Sequence, residues 1–264
     1  MARTIGFIRG GLSRPVPIPQ FTFAFQPIVD VARRRVYAQE ALIRGTARES
    51  AAEILGACVG AEIYQLDERA RAQAISLAGR LGIDCLLSIN FMPNSLAASP
   101  HSLDNTLAAA EECGFPIDRL IVEVTEGEMI QDMGRLRSII DRCRVRGLRI
   151  AIDDFGAGYS GLNLLVEFQP DLLKLDINLV RDIPTHGPRQ AIVRGVLQTC
   201  ADLGIDVIAE GVETGAEFAW FQAHDVQLFQ GYFFAGPAFE CLPAFALDTD
   251  APYASRHDGR AATA

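Results

Sequence analysis

Short apolar runs in this chain repeatedly end on groups that can ionise or coordinate. Cys85–Asn90 ends in an amide, and Leu120–Glu126 carries Glu123 and Glu126. Ile150–Asp154 ends in the adjacent pair Asp153 and Asp154. Leu172–Asp176 carries Lys174 and Asp176, Val207–Glu213 carries Glu210 and Glu213, and Tyr37–Leu42 carries Glu40. A charge at the end of a buried strand is costly unless it is paired or bound to a metal. Gathered in one cup, these carboxylates cannot all stay ionised without cations. A donor set made only of oxygen suits Mg²⁺ or Mn²⁺ rather than zinc. Two adjacent aspartates with further glutamates can hold a metal pair, the arrangement that activates water and stabilises in-line displacement at phosphorus. Strand caps and solvated loop charges would explain any one of these residues, but not the same feature at so many strand ends.

Other residues fit the same chemistry. Lys174 interrupts an apolar run, so its ammonium either snorkels to the mouth of the fold or is placed for chemistry, where it would orient water or neutralise developing charge. Arg44, just past Glu40, is the natural candidate for a phosphate contact, with a surface ion pair as the alternative. Gly156 and Gly158 beside the paired aspartates allow a tight or mobile loop, either a simple strand-to-helix turn or a hinge-bearing loop that arranges metals or closes over substrate. His101, His186, His224 and His257 are isolated from one another, which argues against a histidine metal site or a Ser-His-Asp triad. The cysteines form no C-x-x-C pair, and most are expected to be small buried hydrophobes.

These groups need elements to position them. Strands are expected at Phe23–Val29, Cys85–Asn90, Leu120–Val124, Arg149–Asp153, Asp171–Leu175, Asp206–Ala209 and Val226–Phe229. Each run is short and continuously apolar, as strands buried on both faces are. Apolar residues recur at helical spacing in Asp67–Leu81, Met133–Cys143, Gln190–Leu203 and Ala216–Phe221. Sustained alternation of the two patterns implies an α/β protein, either a closed barrel or a doubly wound sheet. No G-x-G-x-x-G follows a first strand, which weakens a dinucleotide-binding sheet. In a βα barrel the C-terminal strand ends form one face, where active sites sit.

The chain has 264 residues, 24 Lys plus Arg against 33 Asp plus Glu, and a formal charge of −9. That acidity argues against gripping a DNA or RNA polymer. No secretory signal or long apolar stretch is present, so a cytoplasmic location off the membrane is expected.

Read in order, the motifs resemble the EAL domain family of cyclic di-GMP phosphodiesterases. They are FQPIVD (Phe25–Asp30), EALIRG (Glu40–Gly45), LSINFMPN (Leu87–Asn94), IVEVTE (Ile121–Glu126), IAIDDFGAGYSGL (Ile150–Leu162), DLLKLD (Asp171–Asp176), VIAEGVET (Val207–Thr214) and FQGYFFAGP (Phe229–Pro237). The series covers residues 23–243, leaving an N-terminal arm (1–22) and a C-terminal tail (244–264).

The resemblance implies a modified TIM (β/α)8 barrel with an antiparallel first strand. It implies one metal held by Glu40, Asn90, Glu123 and Asp153, and a second near Asp153 and Asp154 with Asp176 and Glu210 close by. Lys174 matches the lysine that orients the attacking water. Glu213 and Gln230 match site residues near the metals, Gln26 and Arg44 match substrate contacts, and Glu126 matches the glutamate that steadies the loop Phe155–Gly161. The implied reaction is hydrolysis of one phosphodiester of cyclic di-GMP to linear pGpG by metal-activated water, with Mg²⁺ or Mn²⁺ as cofactor. The alternative is a catalytically quiet EAL domain serving as a cyclic di-GMP receptor or a protein-interaction module. The residue set is that of the enzyme, although Gly45, Ala157 and Gly161 depart from the commoner Trp, Thr and Ser. Family helices beside the loop mediate dimers, so a homodimer is expected. Twenty residues ahead of the domain are too few for a sensory module, so input is expected from a separate sensory or regulatory protein if there is any.

Seven of the acids (Glu40, Glu123, Asp153, Asp154, Asp176, Glu210 and Glu213) fall in one expected cup. Setting them aside leaves 26 acids against 24 bases, a balance of −2, so the acidity is largely local.

Overall fold

The computed structural model describes residues 18–95, 101–125, 132–158 and 161–245. Its strands are β1 (Phe21–Asp30), β2 (Arg35–Gly45), β3 (Leu86–Phe91), β4 (Leu120–Thr125), β5 (Arg149–Phe155), β6 (Leu172–Leu175), β7 (Asp206–Ala209), β8 (Leu228–Phe229) and β9 (Ala238–Phe239). Strands β2 to β8 pair in sequence order, each parallel to the next. β1 closes the ring, antiparallel to both β2 and β8. β9 adds to β1 outside the ring, also antiparallel.

The fold is therefore a closed eight-stranded barrel with an antiparallel first strand and one extra strand. Of the two architectures consistent with strand–helix alternation, the pairing of β8 back to β1 selects the barrel over the open sheet. β1 and β2 form a tight hairpin, and two strands joined so closely can only run antiparallel.

Helices α1 (Ala51–Gly56), α2 (Glu62–Leu81), α3 (Ser102–Cys113), α4 (Met133–Val145), α5 (Gly161–Phe168), α6 (Ile177–Val180), α7 (Gly187–Leu203) and α8 (Gly215–Gln222) connect the strands. One device returns the chain to the barrel repeatedly. Helices α2 and α7 stop on Gly82 and Gly204, with φ of 68° and 70°. The next N–H, from Ile83 or Ile205, donates to the carbonyl five residues back, at 3.1 and 2.9 Å. That bond satisfies a helix-end carbonyl and buries an apolar residue at the start of the return.

The main core lies between the strands' outer faces and the helices, with Phe21, Phe23 and Phe25 of β1 against residues such as Leu66, Ala74 and Ile75 of α2. β1 begins at Phe21, two residues before the domain boundary placed from the sequence, because these two residues pair with Arg44 and Gly45. β8 is shorter than its apolar run, since only Leu228 and Phe229 find partners.

All six cysteines are free. The expectation that most would be buried is corrected: only Cys143 and Cys200 are, while Cys113 and Cys241 are exposed. Cys113 closes the last turn of α3 and Cys241 follows β9, so neither has a second layer to cover it. No described helix is long and apolar enough to cross a membrane.

Candidate functional site

The barrel interior is layered. Ile28, Ala38, Ile121, Ala151, Leu172, Ile208 and Leu228 form an apolar floor, with Tyr37 and Leu86 packed against it. Side chains on one face of a strand recur every second residue. Two positions further along the parallel strands, or just past their ends, stand Glu40, Ser88, Glu123, Asp153, Lys174, Glu210 and Gln230. β1 runs the other way, so its member of this layer precedes Ile28 rather than following it. That member is Gln26, opposite Glu40 in the β1–β2 register. One more step up β3 places Asn90 opposite Glu123. The polar layer is thus the next storey of the barrel, laid directly on its hydrophobic floor.

Strict alternation would aim Asp153 and Asp154 to opposite faces. The backbone avoids this. The β5–β6 register shifts between Ile152 and Phe155, and Asp154 takes φ 55°, the left-handed region that non-glycine residues rarely occupy. Such strain costs about 1–3 kcal/mol and persists where the surroundings enforce it. Gly156 follows at φ 102°, with Leu179 standing 2.4 Å from where a Cβ would lie. In consequence both aspartates reach the cup. Oxygens of Glu40, Glu123 and Asp153 lie within 4.8 Å of one another, as do those of Asp153, Asp154 and Glu210. Asp153 is shared by the two groups.

Lys174 sits at the centre, 1% exposed. Its Nζ lies 2.7 Å from Glu210, 2.8 Å from Asp153, 2.9 Å from Glu123 and 3.4 Å from Glu40. Burial alone would lower its pKa, but these carboxylates outweigh that and hold it well above the usual value. The carboxylates feel the opposite pressure. Burial raises Glu123 to about 8, against the pull of Lys174, and Ser88 Oγ steadies it with a 2.6 Å hydrogen bond. Burial also pushes Glu210 well above the usual carboxylate range. Desolvation and the neighbouring Asp153 raise Asp154 to about 6, although that residue reaches solvent at the cup's mouth.

Five carboxylates and one ammonium carry −4 when all are ionised, a charge that two divalent cations cancel. Glu123 Oε2 is buried without a hydrogen-bond partner, and it belongs to the first carboxylate group. An orphaned buried carboxylate oxygen in an all-oxygen cluster fits a hard divalent cation.

The cup opens into a cavity of about 560 Å³, lined by Gln26, Glu40, Arg44, Asn90, Asp153 and Lys174 and extending between β2 and helices α1 and α2. Gln230 Nε2 donates to Glu40 Oε2 at 2.6 Å and approaches Gln26 Oε1 at 3.4 Å, while Gln26 Nε2 donates to the Ala235 carbonyl at 3.1 Å. Arg44 lines the same cavity, its guanidinium donating to the Ile43 carbonyl at 2.7 Å. Glu213 also lines it, 3.2 Å from Arg181.

Asp176 lines the cavity too, but it stands outside both carboxylate groups. Its Oδ1 accepts from the backbone and side-chain amides of Asn178, capping α6. Glu126 lies outside the described residues, as do residues 159 and 160 of the loop it was expected to steady.

A family model described as "EAL domain" matches residues 12–237. The chain belongs to the EAL domain family. Among curated relatives of this EAL domain is "Blue light- and temperature-regulated antirepressor BluF" of Escherichia coli, 35% identical over 85% of this chain and 56% of that protein. Another is "Cyclic di-GMP phosphodiesterase NbdA" of Pseudomonas aeruginosa, 31% identical over 87% of this chain and 30% of that protein. The chain therefore spans about half or less of these relatives' lengths. Among solved structures, a standalone EAL protein of Vibrio cholerae in its c-di-GMP-bound form is 42% identical, covers 87% of this chain and 97% of its own, and superposes with a TM-score of 0.83. Klebsiella pneumoniae BlrP1 in a manganese and cy-diGMP complex is 42% identical over 86% of this chain and 58% of its own, with a TM-score of 0.80.

Sequence reasoning missed several supports of this EAL site. Ser88 stands two residues before Asn90 on the same strand face, a period-2 signal that was there to read. Glu217 accepts from the backbone N–H groups of Asp182, Glu213 and Thr214, each at 3.0 Å. Its capping box with Thr214 is a sequence signature. Arg181 carried no such signal.

Proposed function

We propose that this chain is a metal-dependent phosphodiesterase that hydrolyses cyclic di-GMP to linear pGpG and so lowers the messenger in the cytoplasm. The observation that carries the reading is the pair of carboxylate groups sharing Asp153, with Lys174 among them, at the base of a cavity edged by Arg44 and Gln26. Relatives named as cyclic di-GMP phosphodiesterases and structures bound to that nucleotide supply the substrate class.

Glu40, Glu123 and Asp153, with the Asn90 amide, would hold one Mg²⁺ or Mn²⁺, and Asp153, Asp154 and Glu210 a second. Bound there, the cations supply Lewis acidity toward the phosphodiester and a lowered pKa for water. The protein groups do the rest. Lys174 stays protonated, so it acts as a fixed donor that holds the carboxylates in place rather than as a base. Gln230 and Gln26 form an amide relay that orients Glu40. Arg44 meets a phosphate with its guanidinium fork. Glu213 at the mouth, steadied by Arg181, would take the proton that water gives up as its oxygen joins phosphorus, and the O3′ released as one P–O3′ bond breaks takes a proton from solvent. Asp176 contributes by fixing the turn into α6. The protein is proposed to work as a homodimer, with input from a separate sensory or regulatory chain, and without a nucleic-acid polymer or membrane as partner.

The test is incubation of the purified chain with cyclic di-GMP and Mg²⁺ or Mn²⁺, following pGpG by chromatography, beside Glu40→Ala. Product from the wild type alone supports the enzyme. Binding without product would overturn it in favour of a receptor, the reading toward which a relative named as an antirepressor points.

A further inference from the structure

On the α2 wall of the same cavity, behind β3, lies an ion pair that takes no part in the carboxylate cup. Asp67 and Arg71, four residues apart on α2, form a salt bridge, and both are buried, at 7% and 2% exposure. Arg71 also donates to Thr106 Oγ1 of α3 at 2.9 Å and to Ser102 Oγ. Its guanidinium lies 4.6 Å from the centre of the Phe91 ring. Asp67 Oδ1 accepts from the backbone N–H of Met92 at 3.3 Å. The pair therefore grips the two residues that immediately follow Asn90, one through its ring and one through its backbone.

Stability does not explain such a pair. Desolvating two charges roughly offsets their attraction, and apolar residues of similar volume often do as well or better. What the pair adds is direction. Phe91 and Asn90 point to opposite faces of β3, so a ring held against the guanidinium and a backbone N–H tied to the carboxylate set the angle at which Asn90 enters the cup. We propose that Asp67 and Arg71 are positioning residues that fix Asn90 as a metal ligand from behind the strand. The inference rests on the metal-site reading above. Groups that orient a ligand from outside the coordination shell typically change metal affinity 10–100-fold when removed.

The test is calorimetric titration of Mn²⁺ into wild type, Asp67→Leu/Arg71→Met, Asn90→Ala and the combination of all three changes, without nucleotide. The apolar pair is expected to bind Mn²⁺ about tenfold more weakly; its melting temperature falls as well, because Ser102 Oγ and the Met92 N–H lose their partners, so affinity is read well below that transition. In the Asn90→Ala background the same exchange is expected to cost nothing further, because the group being positioned is gone. Arg71→Lys keeps the charge and the fold but loses the fork and the stacking face. It is expected to weaken binding about threefold, again only when Asn90 is present. Affinity within twofold of wild type in both variants, or a full loss that persists without Asn90, would overturn the positioning role. Wild type that binds no Mn²⁺ would overturn the metal-site reading itself, and this inference with it.

Discussion

Lys174 is buried and holds four carboxylates within 3.4 Å, so its loss would leave them without a compensating charge. Breaking a buried ion pair from one side costs about 3–5 kcal/mol. Lys174→Met is expected to lower the urea midpoint of the cation-free protein accordingly, and added Mn²⁺ is expected to restore part of the loss. The raised carboxylates make a second prediction. Glu123 at about 8 and Asp154 at about 6 hold protons in the folded, cation-free state that the unfolded chain has released. Stability falls with pH wherever the folded state binds more protons. Thermal melts of the cation-free protein should therefore fall from about pH 5 to pH 8. Cation binding must expel those protons, so the melting shift produced by Mn²⁺ should grow over the same range.

At the scale of elements, the loops above the barrel are tied together by one carboxylate. Glu217 caps α8 and, through Asp182 and Glu213, joins the segment after β6 to the segment after β7. It is 4% exposed, so removing it strands backbone donors away from water. Glu217→Ala is expected to cost about 3 kcal/mol in chemical denaturation, and to raise KM more than a surface change would, since Glu213 lines the cavity. Most strands and the longer amphipathic helices were legible, because continuous apolar runs and 3.6-residue periodicity survive into the fold, as in β4 and α7, whereas β2 and helices α1, α3, α5 and α6 were not among the stretches those patterns picked out. Other departures lie where pairing rather than composition sets the limit. β8 keeps two residues of its run, and Phe21 and Thr22 are drawn out of the arm by partners on β2.

For the molecule as a whole, helix α5 carries Leu162 and Val166 at 66% and 79% exposure, four residues apart and therefore on one helix face. This helix follows the loop that leaves the paired aspartates, so a dimer built on it would connect subunit contact to the metal cup. If the proposed homodimer is built on this face, Val166→Glu shifts sedimentation of a micromolar sample from dimer to monomer. An unchanged dimer would place the interface elsewhere.

The sequence by itself determined the family, the α/β alternation and most of the acidic cup, because ordered motifs and strand-end charges are local facts. Tertiary structure alone decided which carboxylates share a site. Asp153 and Asp154 converge only through a left-handed residue and a register shift, while Asp176, equally prominent in the motif, turns to cap α6. Structure also decided that Asp67 and Arg71 stand behind Asn90. Pairs brought together by barrel closure and helix packing leave no periodicity in the chain, since the distances that matter are set by strand register and not by spacing along the sequence.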